Sequence, residues 1–502
     1  MTAFSFTADL ADEAATAALM ADLALLIGRN EVITLTGDLG AGKTTAARAL
    51  IRYLADDEAL EVPSPTFTLA QAYELPAPVL HVDLYRINHA GELDELGLAP
   101  FPDGTLVLIE WPDRAGDSLP ADRIDIAFNH RSDGDGRSAT MTGRGPAAAK
   151  VRRLAALRAF LERSGALQSV RKRMDGDAST RSYARLVEGD RSTILMNSPE
   201  KSDTQLIYGG KSYIAAVHLA DTIVPFVAIG RGLHARGLSV PVIHHADLDA
   251  GFLICEDLGR EGVLEGTPPA PIEERYHAAA DVLVRLHRDA LPRELPVEGR
   301  PDYVIPAFDV DAMLIEVSLL LDWYLPDRNV EVTAAMRESF DALWREFLGK
   351  ALAVPATWAI RDYHSPNLIW LADRDGMARV GVIDFQDAVL GPPAYDVVSL
   401  AQDARVDVSE ALEIALVSRY VRGRRTDDPS FDPAAFAESY ARMSAQRNTR
   451  LLGVFSRLNR RDGKPHYLRH QPRIWGYLQR ALAHPALSEI RRWYEAHVPP
   501  PN

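Results

Sequence analysis

Only one cysteine, Cys255, occurs in 502 residues. No intramolecular disulfide and no cysteine-rich zinc site can therefore form. A single thiol fits a reducing compartment, and a cytoplasmic location is expected. No run approaches 18 uncharged apolar residues, so no membrane-spanning helix is expected. The opening MTAFSFTADLADEAATAAL lacks the basic start and long apolar core of a secretory signal. Positive charge is short at the front. Residues 1–145 hold 10 Lys+Arg against 23 Asp+Glu, a net charge of −13, whereas the remainder holds 45 against 47. Gripping a phosphate backbone needs cations to displace counterions, so the front is poorly suited to direct contact with nucleic acid. Any service to RNA is expected to run through protein partners, although a solubilising acidic surface accounts for the charge equally well.

What is present is ordinary globular material. Hydrophobic residues make up 47% and charged residues 25%, enough for several cores. At roughly 150 residues per domain the length predicts about three domains or lobes. Residues 9–28 carry a helical spacing, and 31–36 reads as a buried strand. A glycine-rich turn and a helix over 44–54 follow. Further strands are expected at 79–83 and 105–110, and a hairpin at 123–129 and 138–142. Strands interleaved with helices predict a mainly parallel sheet. Gly143–Pro146 breaks the pattern and places a boundary near 146. The helix expected over 151–161, with Leu154, Leu157 and Leu161 on one face, is read by default as packing on the following domain, with a linker role as the alternative. Strands recur over 170–199 and near 242–255, with a helix over 224–236 between them. From about 272 the chain is mostly helical, interrupted by β-rich residues 358–385. A small β-rich lobe before a large helical lobe is a kinase-like order.

The run Gly37-Asp38-Leu39-Gly40-Ala41-Gly42-Lys43-Thr44 matches G-x-x-x-x-G-K-[ST]. Glycines let such a turn wrap a phosphate, and backbone N–H groups at the helix start point at the anion. Gly37, Asp38, Gly40, Ala41, Gly42, Lys43, Thr44 and Thr45 are therefore the expected nucleotide-binding residues. Lys43 would neutralise the outer phosphates and Thr44 would hold Mg²⁺. Ser64-Pro65-Thr66-Phe67 has hydroxyls suited to sensing the γ-phosphate, with Thr66 the nucleotide contact. Asp83 and Glu110 end the apolar runs VLHVD and LVLIE. Acids at strand carboxyl ends face the ligand crevice, where they bind Mg²⁺ or orient water. Glu110 is the metal candidate of the two, and both are catalytic candidates. Trp111 is a candidate to stack on adenine, with a packing tryptophan the equal alternative.

GDLGAGKTT, SPTFTL, HVDLYRI, LGL and LIEWPDR, in that order, resemble the TsaE family, small P-loop ATPases of bacterial tRNA threonylcarbamoyladenosine synthesis. The resemblance implies ATP and Mg²⁺ as cofactors and hydrolysis depending on Asp83 and Glu110. It also implies TsaB/TsaD-type partner proteins that themselves handle tRNA.

A second phosphate site is expected in Arg361-Asp362-Tyr363-His364-Ser365-Pro366-Asn367. Its D-x-x-x-x-N spacing is that of kinase catalytic loops, with Asp362 taking or orienting the hydroxyl proton and Asn367 holding Mg²⁺. Seventeen residues on comes Asp384 in VIDFQD, and a hairpin between them would bring this second metal ligand beside Asn367. Gly176, Asp177 and Ser179 lie in a turn suited to closing over ATP phosphates. Glu256 and Leu258 lie where a hinge would offer backbone groups to adenine, and Cys255 is a packing residue. Two features depart from kinases. Ile360 stands where the H-x-D histidine would be, and the strand Thr193-Ile194-Leu195-Met196 carries no ATP-binding lysine, leaving Lys201 or Lys211 as substitutes.

GDASTRSYARL, ILMNSPE, LICEDLG, LLLDWYL, RDYHSPNL, VIDFQDAVLGPPAYDVVSLAQDAR and RLNRRDGKPHYLRHQP resemble the aminoglycoside phosphotransferase superfamily, and within it the AmgK family of amino sugar 1-kinases. That resemblance implies phosphorylation of the anomeric hydroxyl of N-acetylmuramate or N-acetylglucosamine, with the absent strand lysine a family trait. Glu316 and Asp322 are candidate ligands of sugar hydroxyls. His466 and His470 are four apart, a spacing open to a metal, and Arg460–Lys464 is expected as a solvated basic loop. The whole reads as an α/β P-loop NTPase domain over 1–145 followed by a bilobal protein-kinase-like α+β domain over 146–502, with an N-lobe of about 165–257 and a helical C-lobe of about 258–502. Two rival readings are a kinase of another alcohol, such as an aminoglycoside or choline, and a front domain acting as a nucleotide-gated binding module.

Overall fold

The computed structural model describes residues 3–87, 92–93, 101–131, 136–174, 181–200, 210–288 and 290–501. It divides into two compact units, Met1–Pro199 with His244–Asp257, and Glu200–Ile243 with Leu258–Asn502.

The first unit begins with a seven-stranded sheet of order β1-β7-β6-β2-β5-β4-β3. Its strands are β1 (Ala3–Leu10), β2 (Val32–Thr36), β3 (Ala70–Tyr73), β4 (Val79–Asp83), β5 (Leu106–Glu110), β6 (Arg123–His130) and β7 (Arg137–Arg144). The sheet is mixed rather than mainly parallel. The pairs β2–β5, β2–β6 and β4–β5 are parallel, and β1–β7, β6–β7 and β3–β4 are antiparallel. Strands β2 and β5 sit at the middle and are buried almost throughout, which is why they read as unbroken apolar runs. Edge strand β1 lay outside the expected elements. Half of it is exposed, and it is held to β7 by cross-strand hydroxyl pairs, Ser5 to Thr142 at 2.8 Å and Thr7 to Thr140 at 3.0 Å.

Helix α1 (Glu13–Ala24) starts at Asp12, whose carboxylate accepts from the Ala15 N–H. Helix α2 (Lys43–Ala55) runs straight out of the glycine-rich turn. Helix α3 (Ala147–Arg163) is longer than expected and serves both sides of the boundary. Ala147, Val151 and Leu154 belong to the core of the first sheet, while Leu157, Phe160 and Leu161 pack with Ala184, Leu186, Leu195, Phe252 and Ile254. At 1.5 Å per residue the helix is roughly 25 Å long, enough to reach both cores. Packing on the following domain, the default reading, is thus only part of its role, and the linker alternative fits its two ends.

The second sheet has the order β11-β12-β10-β9-β8. It comprises β8 (Val170–Arg173), β9 (Ser182–Glu188), β10 (Arg191–Asn197), β11 (Ile243–Asp247) and β12 (Phe252–Glu256). The β9–β10 hairpin turns at Gly189. A buried ion cluster ties this sheet to α1. Asp22, with no exposed surface, accepts from Arg171 of β8 at 2.9 Å and from Arg158 of α3 at 2.7 Å. The Leu25 carbonyl accepts from Ser182 Oγ at 2.7 Å and Asn197 Nδ2 at 3.3 Å.

The second unit is mainly helical, and its described strands form four two-stranded pairs, among them the hairpin Leu368–Trp370 with Val380–Val382, which lies between the paired strands Thr357–Ala359 and Val389–Gly391. Its centre is the helix Pro433–Asp462, buried without interruption from Ala441 to Thr449 although that stretch includes Arg442, Gln446, Arg447 and Asn448. Gly453 lets this helix close on Val310–Leu319. A Cβ there would lie 2.4 Å from the Leu319 carbonyl carbon. The basic run is not a loop at its start, since Arg460 and Arg461 continue the helix. His466 and His470 sit in the short turn Pro465–His470, and no group of three or more His, Cys, Asp or Glu among the described residues is arranged for a metal.

Candidate active sites

The glycine-rich turn takes left-handed φ values at Gly37 (139°), Gly40 (79°) and Gly42 (110°). Gly37 has no room for a side chain, since a Cβ would meet the Phe128 carbonyl at 2.6 Å. Asp38 and Gly40 are exposed, and Ala41 anchors the turn in the core. Lys43 Nζ donates to the Gly37 and Asp38 carbonyls at 2.8 and 2.9 Å. Burial lowers the Lys43 pKa, and the charges of Glu110, Asp83 and Asp38 partly offset this. Thr44 and Thr45 open α2. Thr44 Oγ1 donates to Glu110 Oε2 at 2.9 Å, joining helix start and strand end. Asp83 ends the neighbouring strand, and its Oδ2 accepts from Ser64 Oγ at 2.9 Å and Thr66 Oγ1 at 2.6 Å. The switch-type loop is thus fastened to a strand-end acid. Trp111 lies with its ring 3.8 Å from Lys43 Nζ, beside the glycine-rich turn. Sequence reasoning missed His81. It is wholly buried, its Nε2 is 3.0 Å from Glu110 Oε1, and its Nδ1 has no partner among the described residues.

In the second unit, Arg361 takes φ 72° and Asp384 φ 57°, both in the left-handed region that side chains rarely occupy. Backbone carboxylate clamps hold the first. Asp396, fully buried, accepts from the Ile360 N–H at 2.7 Å and the Arg361 N–H at 2.9 Å. Asp362 follows, its carbonyl accepting from Asn367 Nδ2 at 2.9 Å, which leaves Asn367 Oδ1 as the group suited to a cation. The hairpin expected between Asn367 and Asp384 is present, with Leu368 opposite Val382, and the Ile383 N–H donates to the Asn367 carbonyl at 3.0 Å. Asn367 and Asp384 therefore flank one hairpin mouth. Asp384 Oδ1 accepts from Gln386 at 2.9 Å, and Phe385 anchors the segment by stacking on Phe226, ring centroids 4.8 Å apart.

Burial raises the Asp362 pKa, but Arg450, His364, Arg447 and Arg361 outweigh it and hold the carboxyl below its ordinary range. His364 sits beside it, Nε2 at 4.0 Å, and burial pushes that imidazole down to about 4. Asp403 fixes the loop from below, accepting from the Ser365 and Arg405 N–H groups at 2.9 and 2.8 Å.

Glu316 is not a free substrate ligand, and that expectation is corrected. It has no exposed surface, its Oε1 is paired with Arg361 and lies 3.3 Å from Arg450 Nε, and its Oε2 accepts from Gln446 at 2.9 Å. Asp322 lies in the turn Leu320–Tyr324 and accepts from Arg337 at 2.6 Å. Glu256 ends β12 in the first unit, and Leu258 opens the second. Cys255 is buried, and its thiol is pushed up to about 12 by burial, as suits a packing residue. Gly176, Asp177, Ser179 and Lys201 lie outside the described residues, and Lys211 is exposed.

Comparison with known proteins agrees with both loops. A profile for a phosphotransferase enzyme family matches residues 170–438, more than half the chain. The chain belongs to the phosphotransferase enzyme family. Ahead of that region, a profile for the threonylcarbamoyl adenosine biosynthesis protein TsaE matches residues 10–139, so this phosphotransferase carries a TsaE domain at its N-terminal end. An N-acetylmuramate/N-acetylglucosamine kinase of Caulobacter vibrioides is 38% identical over 69% of this chain and 97% of its own length. A protein of the same name from Pseudomonas aeruginosa is 32% identical over 62% and 84%. The TsaE protein of Rickettsia bellii is 40% identical over 19% of this chain and 67% of its own.

In this phosphotransferase the acids missed by motif reading, Asp396 and Asp403, interrupt the apolar run AYDVVSLAQDAR. A carboxylate inside a buried helical stripe must be satisfied by something, and here it is the catalytic-loop backbone. Both phosphate sites suit a hard cation. Each offers carboxylate, hydroxyl or amide oxygens in pairs, too few to encage a metal alone, with the rest of the shell left to phosphate oxygens and water. No described helix is long and apolar enough to cross a membrane.

Proposed function

We propose that residues 146–502 form an ATP-dependent kinase that phosphorylates the anomeric hydroxyl of N-acetylmuramate and N-acetylglucosamine, a step that returns cell-wall sugars to use. Residues 1–145 form an α/β P-loop ATPase domain that supports tRNA threonylcarbamoyladenosine modification by acting on TsaB/TsaD-type proteins, reaching tRNA only through them. Both use ATP and Mg²⁺ and work in the cytoplasm.

The observation that carries the kinase reading is the pairing of a catalytic loop with the Asn367–Asp384 hairpin, in a chain covering 97% of a kinase of that name. Asn367 and Asp384 would hold the Mg²⁺ that neutralises the phosphates. Asp362 is ionised and aligns the attacking hydroxyl, accepting its proton as the hydroxyl oxygen bonds to the γ-phosphorus and the bond from that phosphorus to the β-phosphate oxygen breaks, releasing ADP. A carboxylate held below its ordinary range is a weak base. An anomeric hydroxyl is more acidic than an ordinary alcohol, so it needs less help, and the two are matched. In the front domain Lys43 and the turn amides would bind the phosphates, Thr44 and Glu110 would hold Mg²⁺, and Asp83 would couple the Ser64–Thr66 loop to the nucleotide.

The test is product identification with the full chain, ATP, Mg²⁺ and each sugar. A sugar 1-phosphate is expected, and the methyl glycoside, blocked at C1, should be inert. Phosphorylation of the methyl glycoside as fast as the free sugar would remove the anomeric assignment.

A further inference from the structure

The two sugars in the proposed reaction share one ring and differ in one group. N-acetylmuramate carries a lactyl ether, ending in a carboxylate, on the exocyclic oxygen at C3. N-acetylglucosamine is neutral there. A kinase for the first must place that carboxylate somewhere close to its catalytic acid, because C1 and C3 are 1,3-related on the same ring.

Buried guanidinium groups gather beside Asp362 in the second unit. Arg361, Arg447 and Arg450 converge from the catalytic loop and the helix Pro433–Asp462. Glu316 is shared between Arg361 and Arg450, and its second oxygen is taken by Gln446. Arg450 Nη1 also reaches the Tyr395 hydroxyl at 3.4 Å. Arg447 is different. It is 2% exposed, and neither its Nε nor its Nη1 has a hydrogen-bond partner among the described residues. The anions facing it are Asp362 and Asp403, and Asp403 is already engaged by Ser365 and the Arg405 N–H. Glu316, Asp362 and Asp403 match the three arginines in charge, so what Arg447 lacks is hydrogen-bond partners for its Nε and Nη1. A buried guanidinium with idle donors is costly unless an anion completes it, and its planar fork is shaped for the two oxygens of a carboxylate.

We infer that Arg447, one helical turn from Arg450, is the receptor for the lactyl carboxylate of N-acetylmuramate and sets the preference between the two sugars. This rests on the amino sugar kinase reading. Phosphate is the other anion with suitable oxygens, and the test separates the two.

The full chain is assayed with N-acetylmuramate and with its lactyl primary amide, a neutral near-isostere. The amide is expected to lose on the order of ten- to a hundred-fold in kcat/KM, chiefly through KM, as for a lost charged hydrogen-bond pair. Arg447→Gln should shrink that acid-to-amide ratio toward one, and Arg447→Lys should restore part of it. If the wild-type chain phosphorylates the amide as well as the acid, the receptor assignment is wrong, whatever the variants do. If Arg447→Gln slows acid and amide by the same factor, Arg447 serves the transferred phosphoryl group or the packing, and the assignment again falls. If no sugar yields a 1-phosphate, the kinase reading falls and takes the receptor with it.

Discussion

At the scale of single residues the two sites differ in how their acids are held. Glu110 is gripped from both ends, by Thr44 and His81, inside a nearly dry pocket. His81→Leu strips one oxygen of its partner, which should cost about 1–3 kcal/mol of stability and misalign Glu110. ATP turnover by the front domain should fall while nucleotide affinity stays close to wild type, and His81→Gln should recover part of the rate. In the proposed kinase reaction Asp362 and Asp384 would divide the labour. Asp362→Asn should lower kcat with little change in the affinity for Mg²⁺–ATP, whereas Asp384→Asn should weaken both, as steady-state kinetics with titrated Mg²⁺ would separate. Buried titrating groups set a pH dependence. Burial holds His364 near 4 and His287 near 3, so both are neutral in the fold and take up protons on unfolding below about 6.5. Their contribution is full above that pH and is lost as the pH falls toward 4. Asp396, raised to about 7 by burial against the pull of two backbone N–H groups, has the opposite sign, with a contribution lost as the pH rises through 7. Two histidines outweigh one aspartate, so melting temperature should drop from pH 6.5 to 4.5, and His364→Gln should flatten that drop.

Elements were legible where their signal is local. The glycine-rich turn and the Asn367–Asp384 spacing are short enough that sequence order nearly dictates geometry, and both sites follow from them. Glu316 was misread for the converse reason. An acid on a helix looks solvated until its partners appear, and these come from Arg361 and Arg450, far along the chain. Strand β1 was legible and was passed over, since Phe4, Phe6, Ala8 and Leu10 alternate with Ser5, Thr7 and Asp9 at the period of a half-buried strand. Helix α3 has one stripe, and no stripe says that its two ends meet different cores. Close helix packing gives a test at this scale. Gly453→Ala would drive a Cβ into the Leu319 backbone, and overpacking of this kind costs about 1–3 kcal/mol. The shift would spread to Gln446 and Arg450 on the same helix, so sugar kinase activity should fall along with the melting temperature.

For the whole molecule the charge and the doubled phosphate apparatus set the expectations. The net −13 of residues 1–145 predicts weak, salt-insensitive association with tRNA alone, measurable by titration at two ionic strengths. Each site has its own loop and its own strand-end acids, so Lys43→Ala should abolish hydrolysis at the front and leave sugar phosphorylation intact. Loss of kinase activity in the folded variant would mean the sites are not independent.

Helix α3 has a consequence for supply. A cut at the 145–147 turn would not yield two ready-made proteins, because Val151 and Leu154 would leave one core with the helix while Leu157 and Phe160 stayed in the other. The two domains are therefore translated together, turned over together and present in a one-to-one ratio in every copy of the chain. Adjusting one catalytic output against the other must then happen at the level of substrate and partner concentrations, not of protein number.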